Sequence, residues 1–105
     1  MDPIDQGLKL LISYNIDLED TGVYYQFVLG KYIPAMQSMG LEMSEAWHTA
    51  FGPYPNRLIG FVARDGDLLR EVMAGETWAE LDEELKELVT ELEYKVIPYR
   101  LGFQF

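Results

Sequence analysis

The chain has 105 residues and a mass of 12.1 kDa, which fits one domain over residues 1–105 and leaves no room for a second of ordinary size. Eighteen acidic and eight basic residues give a net charge of −10. This charge argues against nucleic acid or an anionic membrane surface as a partner, because both need clustered Lys and Arg. The absence of cysteine excludes disulfides, thiolate metal sites and cysteine nucleophiles.

The N-terminal sequence Met-Asp-Pro-Ile-Asp does not have the basic segment and apolar run of a signal peptide. No apolar run approaches the ~20 residues that a membrane-spanning helix needs. We therefore expect a cytoplasmic protein that does not associate with membranes.

The first half of the chain predicts a strand, a long helix and a second strand. Residues 8–15 alternate between apolar and polar positions, as in a strand with one face in a core. An acidic, cap-rich stretch then precedes a predicted helix over residues 21–39. Pro34 should kink this helix, and Gly40 should end it in a left-handed conformation. Residues 43–51 predict a second strand, although their alternation is poor.

The second half begins with the strongest break in the chain, at residues 52–56, which predicts a hairpin-type connection. Residues 57–63 are apolar on both faces, as in a central, buried strand. The turn at residues 65–67 then caps a predicted short helix over residues 68–74.

A second amphipathic helix should follow, because Thr77 and Glu80 have the spacing of a capping box. Its predicted apolar stripe is formed by Trp78, Leu81, Leu85, Leu88 and Leu92. Residues 94–105 predict the last strand, which should be an edge strand or bulged at Pro98, because proline cannot donate to a ladder.

The element order β-α-β-β-α-β predicts an α+β, ferredoxin-like fold with a four-stranded antiparallel sheet. Both helices of this fold pack on one face of the sheet, and here the other face is not cleanly polar. Such an apolar face would exceed what monomers usually expose. We therefore expect a homodimer in which two sheets pack face to face as a barrel.

Two local features extend this pattern: the sequence Tyr32-Ile33-Pro34-Ala35-Met36 at the end of the first helix, and a Trp-bearing helix after Gly-Glu-Thr. With these features the chain resembles NIPSNAP-like members of the dimeric α/β-barrel superfamily, from about residue 8 to residue 105. The resemblance implies a dimer with an internal cavity. That superfamily includes cofactor-free monooxygenases, heme-binding enzymes and isomerases, and many NIPSNAP-like proteins have no established activity.

His48 is the only histidine and the natural candidate for a catalytic acid or base, with a structural role in the core as the alternative. One histidine and scattered carboxylates predict no metal site, and we expect no cofactor. Either Arg57 or Arg100 could hold an anionic ligand or pair with a surface carboxylate. Aromatic and hydrogen-bonding residues suited to a pocket for a flat molecule, or alternatively to the core and dimer interface, are Tyr14, Asn15, Trp47, Arg57, Tyr99 and Arg100.

Three functions remain open at this point. The first is a dimeric barrel that binds a small apolar or aromatic molecule. The second is a cofactor-independent monooxygenase or isomerase that acts on such a molecule. The third is an interaction module, because residues 65–93 hold eleven acidic and two basic residues. A solvated outer face is the usual explanation for such an acidic segment.

Overall fold

The computed structural model describes residues 7–16, 21–48 and 56–99. Within these ranges the four strands are β1 (Gly7–Ile16), β2 (Glu42–His48), β3 (Arg57–Ala63) and β4 (Val89–Tyr99). The helices are α1 (Thr21–Phe27), α2 (Ile33–Ser38), α3 (Gly66–Ala74) and α4 (Glu76–Leu88). A π-helical segment, Val28–Tyr32, joins α1 to α2.

The four strands form one antiparallel sheet in the order β2-β3-β1-β4. This arrangement confirms the predicted ferredoxin-like, α+β fold. In β1 the residues at even positions from Leu10 to Ile16 are buried, and those at odd positions from Lys9 to Asn15 are half-buried. The buried side joins the helices in one hydrophobic core, so the helices cover one face of the sheet.

The helical region between β1 and β2 contains an irregularity beyond the single predicted helix over residues 21–39. Its irregularity is the π-helical turn before Pro34, in which the Ile33 N–H donates to the Val28 carbonyl. Proline offers no N–H, and the wider turn accommodates the resulting gap in the hydrogen-bond ladder. The predicted end is confirmed, because Gly40 has φ +100° and Leu41 N–H donates to the Met36 carbonyl at 3.1 Å.

The capping box predicted at Thr77 is wrong. Helix α4 begins at Glu76, and its N-cap is Gly75, two residues before the predicted Thr77, with no capping hydrogen bond from a side chain. Gly75 has extended geometry and also ends α3, so this single residue separates the two helices. The Asp65 side chain does cap α3, as predicted, by accepting a hydrogen bond from Leu68 N at 2.8 Å.

The predicted extension of α4 to Leu92 is also wrong. The helix ends at Leu88, and β4 begins at Val89, five residues before the predicted start. The register between β1 and β4 shifts near Glu91, which has φ +54°, so β4 is bulged there. Strand β4 is an edge strand, which explains how it accommodates Pro98 opposite Leu8. Predicted strand residues 49–51 and 100–105 lie outside the described residues.

Candidate functional site

An open cleft lies between the first helical segment and the part of the sheet formed by β2 and β3. Its volume is about 170 Å³. The helical wall and the sheet contribute mostly apolar side chains, together with two tyrosines and one arginine. The lining residues are Tyr24, Tyr25, Val28, Leu29, Ile33, Ala46, Arg57, Leu58 and Ile59.

A buried pair of tyrosines lies at the inner wall of this cleft. The hydroxyls of Tyr14, on β1, and Tyr24, on α1, are hydrogen-bonded at 2.6 Å. Tyr14 is 0% exposed and Tyr24 is 4% exposed, so this hydrogen bond is formed away from water. Burial raises the pKa of both phenols, although the Tyr14 hydrogen bond and the charge of Arg57 act to lower the pKa of Tyr24. Both hydroxyls are therefore protonated at neutral pH and serve as hydrogen-bond donors.

Arg57, the first residue of β3, places a half-buried guanidinium in the cleft. One terminal nitrogen donates to the Tyr25 hydroxyl and the other to the Asn56 carbonyl, each at 2.9 Å. The rings of Tyr24 and Tyr25 contact edge to face, with centroids 5.0 Å apart. The cleft thus combines a phenol, a guanidinium and an apolar wall, which suits a small molecule with one polar end.

The structure brings two of the predicted site residues, Tyr14 and Arg57, to this cleft, although Tyr14 lies behind Tyr24. Asn15 does not line the cleft. Its Oδ1 accepts a hydrogen bond from Asn56 N at 2.8 Å, and its Nδ2 donates to the Glu91 carboxylate at 2.6 Å. Asn15 thus joins the start of β3 to the bulge of β4.

The other predicted site residues are described only in part. His48 pairs with Arg57 in the strand register, and Trp47 pairs with Leu58. Tyr99 is the last described residue of β4. The side chains of Trp47, His48 and Tyr99, and all of Arg100, lie outside the described residues, so their assignment to a site stays a prediction.

Sequence reasoning missed Tyr24 and Tyr25, which form much of the cleft. Both lie in the predicted helix over residues 21–39, where nothing in the sequence pattern singled them out. In the structure Tyr24 is buried, whereas the neighbouring apolar residue Val23 is 51% exposed. A useful signal was the adjacent pair of tyrosines one turn from the helix start, since a phenol needs a hydrogen-bond partner when it is buried.

A second polar cluster joins α4 to β4. The Tyr94 hydroxyl donates to Asp82, whose other carboxylate oxygen contacts Lys86 Nζ at 2.9 Å. The Tyr32 hydroxyl is buried beside them and forms no hydrogen bond with any described residue. Burial raises the pKa of Tyr32; the neighbouring Tyr94 hydroxyl acts to lower this pKa and the Asp82 charge acts to raise it. Trp78 contacts the ring of Tyr94 and closes this cluster from one side.

Two features are absent from the described part of the chain. Within those ranges, no group of three or more His, Asp or Glu residues is arranged to hold a metal ion. None of the helices in these ranges has the length and apolar character to cross a bilayer.

Comparisons with known proteins identify the fold. Neither the protein-family models nor the curated sequences include a match to this chain. Among solved structures, a NIPSNAP family protein of unknown function from Agrobacterium tumefaciens has a TM-score of 0.64 at 14% identity, over 94% of this chain and 93% of its own.

Two further similar structures carry other names. A hydroxynitrile lyase from Passiflora edulis has a TM-score of 0.70 at 11% identity, over 95% of this chain and 99% of its own. A protein of the EthD family from Bacillus halodurans has a TM-score of 0.67 at 14% identity, over 94% of this chain and 99% of its own. At such low identity these likenesses show the fold alone, and that fold is NIPSNAP-like.

Proposed function

We propose that this chain is a NIPSNAP-like, dimeric α/β-barrel protein that binds a small apolar or aromatic molecule. The observation that carries the proposal is the cleft beside Tyr24 and Arg57, with its volume of about 170 Å³ and its mostly apolar lining. An engineered cavity of about 150 Å³ is known to bind benzene, so this volume suits one substituted ring. The sequence placed the ligand inside the barrel, whereas this cleft lies on the helical side of one sheet.

Filling the cleft tests the proposal. Ala46 is exposed and lines the cleft, so Ala46→Phe should occupy the space without disturbing the core. Ala79→Phe, on the exposed face of α4, is the matched control. We expect toluene, indole and benzyl alcohol to shift the amide NMR signals of Val28 and Ile59 in the unmodified protein and in Ala79→Phe. These shifts should be lost in Ala46→Phe. The absence of shifts in the unmodified protein with all three probes would refute the proposal.

The dimer is supported by the face of the sheet that the described helices leave open. Half-buried apolar side chains from three strands lie on this face, namely Leu11, Val62 and Ile97. Lys9 and Glu45 form an ion pair at 2.6 Å on the same face, so a partner would meet both apolar and charged groups. Packing two such faces together would remove their apolar surface from water.

Light scattering tests the dimer directly, with an expected mass twice the 12.1 kDa of one chain. Leu11→Glu should convert the particle to a monomer, because it adds a charge at the middle of the open face. Val23→Glu, at an exposed apolar position on α1, should leave the mass unchanged. A 12.1 kDa particle for the unmodified protein at micromolar concentration would contradict the dimer.

Catalysis on the bound molecule, as a cofactor-independent monooxygenase or isomerase, is the second candidate. Tyr24 and Arg57 favour it, because a phenol and a guanidinium can stabilise negative charge that develops on oxygen. His48 lies opposite Arg57 in the register and stays the predicted acid or base. Native mass spectrometry should first identify any retained ligand. Incubation of that ligand with the protein, followed by NMR of the products, then separates catalysis from binding.

An interaction role for the acidic helix has one observation in its favour. A groove of about 240 Å³ between α1 and α4 has Val23, Phe27 and Leu88 as its apolar part and two glutamates at its edge. A pull-down with neutralised Glu83 and Glu84 tests this role. We expect it to be the weaker candidate, because Glu84 already pairs with Lys31 at 2.7 Å.

The cytoplasmic location also stays a prediction.

A further inference from the structure

We infer that the ligand of the cleft is a single-ring aromatic carboxylate, with its ring against the apolar wall and its carboxylate on Arg57 and the Tyr24 hydroxyl. This inference rests on the proposed function and names the chemical class of the molecule that the cleft takes. It follows from three observations: the ion pairing of the cations, the direction of the tyrosine hydrogen bond and the size of the cleft.

The cations of this acidic chain are mostly neutralised by neighbouring carboxylates. The ion pairs within the described residues are Lys9–Glu45, Lys31–Glu84, Arg64–Asp65, Arg70–Asp67 and Lys86–Asp82. Arg57 differs, because its described hydrogen-bond acceptors, a phenol oxygen and a backbone carbonyl, are both neutral.

An uncompensated charge matters more at Arg57 than at the surface. Its side chain is half-buried, and a partly desolvated guanidinium favours an anionic partner. Lys95 also has no carboxylate partner among the described residues, but it lies opposite Leu11 on the open face of the sheet, away from the cleft. A guanidinium has five N–H donors, of which two are used here, so a carboxylate could still be bound by two N–H groups.

The tyrosine pair supplies a further donor in the same place. Tyr14 is fully buried, and its described hydrogen-bond partner is the Tyr24 hydroxyl. The Tyr14 proton is therefore best satisfied by donation to the Tyr24 oxygen. Tyr24 then directs its own proton away from Tyr14, and Tyr24 is the member of the pair that lines the cleft. This proton is available to a ligand oxygen that also contacts Arg57.

The size and walls of the cleft select the rest of the molecule. A volume of about 170 Å³ accommodates one ring with a small substituent. Val28, Leu29 and Ile33 form an apolar wall along the helical side. Tyr24 and Tyr25 offer ring edges and faces to the cleft, a setting that favours an aromatic ring over an aliphatic chain.

The test compares benzoate with benzamide, which has nearly the same shape but no charge, by titration followed with amide NMR. We expect benzoate to bind about 10- to 100-fold more tightly, the range for a charge-assisted hydrogen bond at a partly buried site. The titrations use about 150 mM salt, where the Debye length is about 8 Å and distant acidic residues are screened.

Arg57→Gln should abolish the preference for benzoate. Lys95→Gln, which removes another cation that has no carboxylate partner among the described residues, should leave the preference intact. Amide spectra of the two variants report whether the fold is retained. If Arg57→Gln does not fold, Arg57→Lys replaces it and should reduce the preference without abolishing it, because lysine keeps the charge and loses the planar fork. A preference that Arg57→Gln retains would overturn the inference.

The outcomes for the unmodified protein separate this inference from the proposed function. Equal binding of benzoate and benzamide would overturn the carboxylate inference and leave small-molecule binding intact. Failure of both compounds, together with the neutral probes toluene and indole, would overturn both. A benzoate preference that weakens as salt is raised, with benzamide binding unchanged, supports an ionic contact in the cleft.

Discussion

Removal of the Tyr24 hydroxyl tests the buried tyrosine pair on which the cleft depends. Tyr24→Phe leaves the fully buried Tyr14 hydroxyl without its described partner. A buried polar group that loses its hydrogen bond costs about 1–3 kcal/mol, more than the net value of the bond itself. For a chain of this length we expect the melting temperature to fall by about 4–12 °C.

The double variant makes this prediction sharper. In Tyr14→Phe, the remaining Tyr24 hydroxyl keeps access to Arg57 and the cleft, so we expect a smaller loss of about 1 kcal/mol. Removal of both hydroxyls leaves two apolar rings edge to face, with centroids 5.9 Å apart. The double variant should therefore be at least as stable as Tyr24→Phe. The free energies of unfolding lost by the two single variants should add to at least about 1 kcal/mol more than the double variant loses.

Tyr32→Phe is the matched control, because it deletes a hydroxyl that is equally buried but forms no hydrogen bond with a described residue. We expect its stability to be unchanged or raised by up to about 1 kcal/mol. The measurement is urea unfolding followed by circular dichroism, at one fixed protein concentration because dimerisation would couple to unfolding. Equal losses in Tyr24→Phe and Tyr32→Phe, or additive losses in the double variant, would refute the reasoning.

Three other substitutions test the packing and capping described above. Gly60→Ala should lower stability by about 1 kcal/mol in urea unfolding, because its new methyl group would lie 2.8 Å from Glu45 Oε1 and displace that side chain. Gly30→Ala meets no atom within 4 Å and should instead raise stability by about 0.5–1 kcal/mol; a loss at Gly30 would contradict the open space seen there. Asp65→Ala should lower the melting temperature at pH 7, because it removes the cap on Leu68 N. The hydrogen bond from Leu68 N holds the pKa of Asp65 below its ordinary value of 3.8. The ionised Asp65 cap therefore stabilises the fold above that pH, and this stabilisation is lost as the pH falls through the lower pKa of the folded state. Thermal melts of both proteins between pH 7 and pH 2 should converge at the acid end, and a constant difference would argue against the cap.

The elements that the sequence predicts well are those with a strong local signal. The alternation around Leu10 and Ile12 defines one face of β1, and the glycine at position 40 ends α2 as expected. The boundary at Val89 was missed because Leu88 and Leu92 fit a helical stripe as well as a bulged strand. Only pairing with β1 decides between them, and that pairing joins residues more than 70 positions apart.

The candidate site was predictable only in part, for the same reason. Arg57 stood out because cations are few in this chain, but its partners depend on the fold. The contact between Arg57 and Tyr25 spans 32 positions and needs the packing of α1 against the sheet. Periodicity indicates which side of a helix is apolar. It gives no means of recognising a tyrosine that can be buried because its hydroxyl is hydrogen-bonded to the hydroxyl of another tyrosine.

The π-helical segment makes the cleft sensitive to chain length as well as to side-chain identity. Val28 and Leu29 lie in this segment and Ile33 follows it, while Tyr24 lies one turn before it. Each residue of a helix accounts for about 100° of rotation. A one-codon deletion within residues 28–32 would therefore turn Tyr24 away from the wall formed by Ile33, whereas a substitution would replace a single side chain. Insertions and deletions in this segment thus offer a route by which proteins of this fold could exchange one ligand for another in a single genetic step.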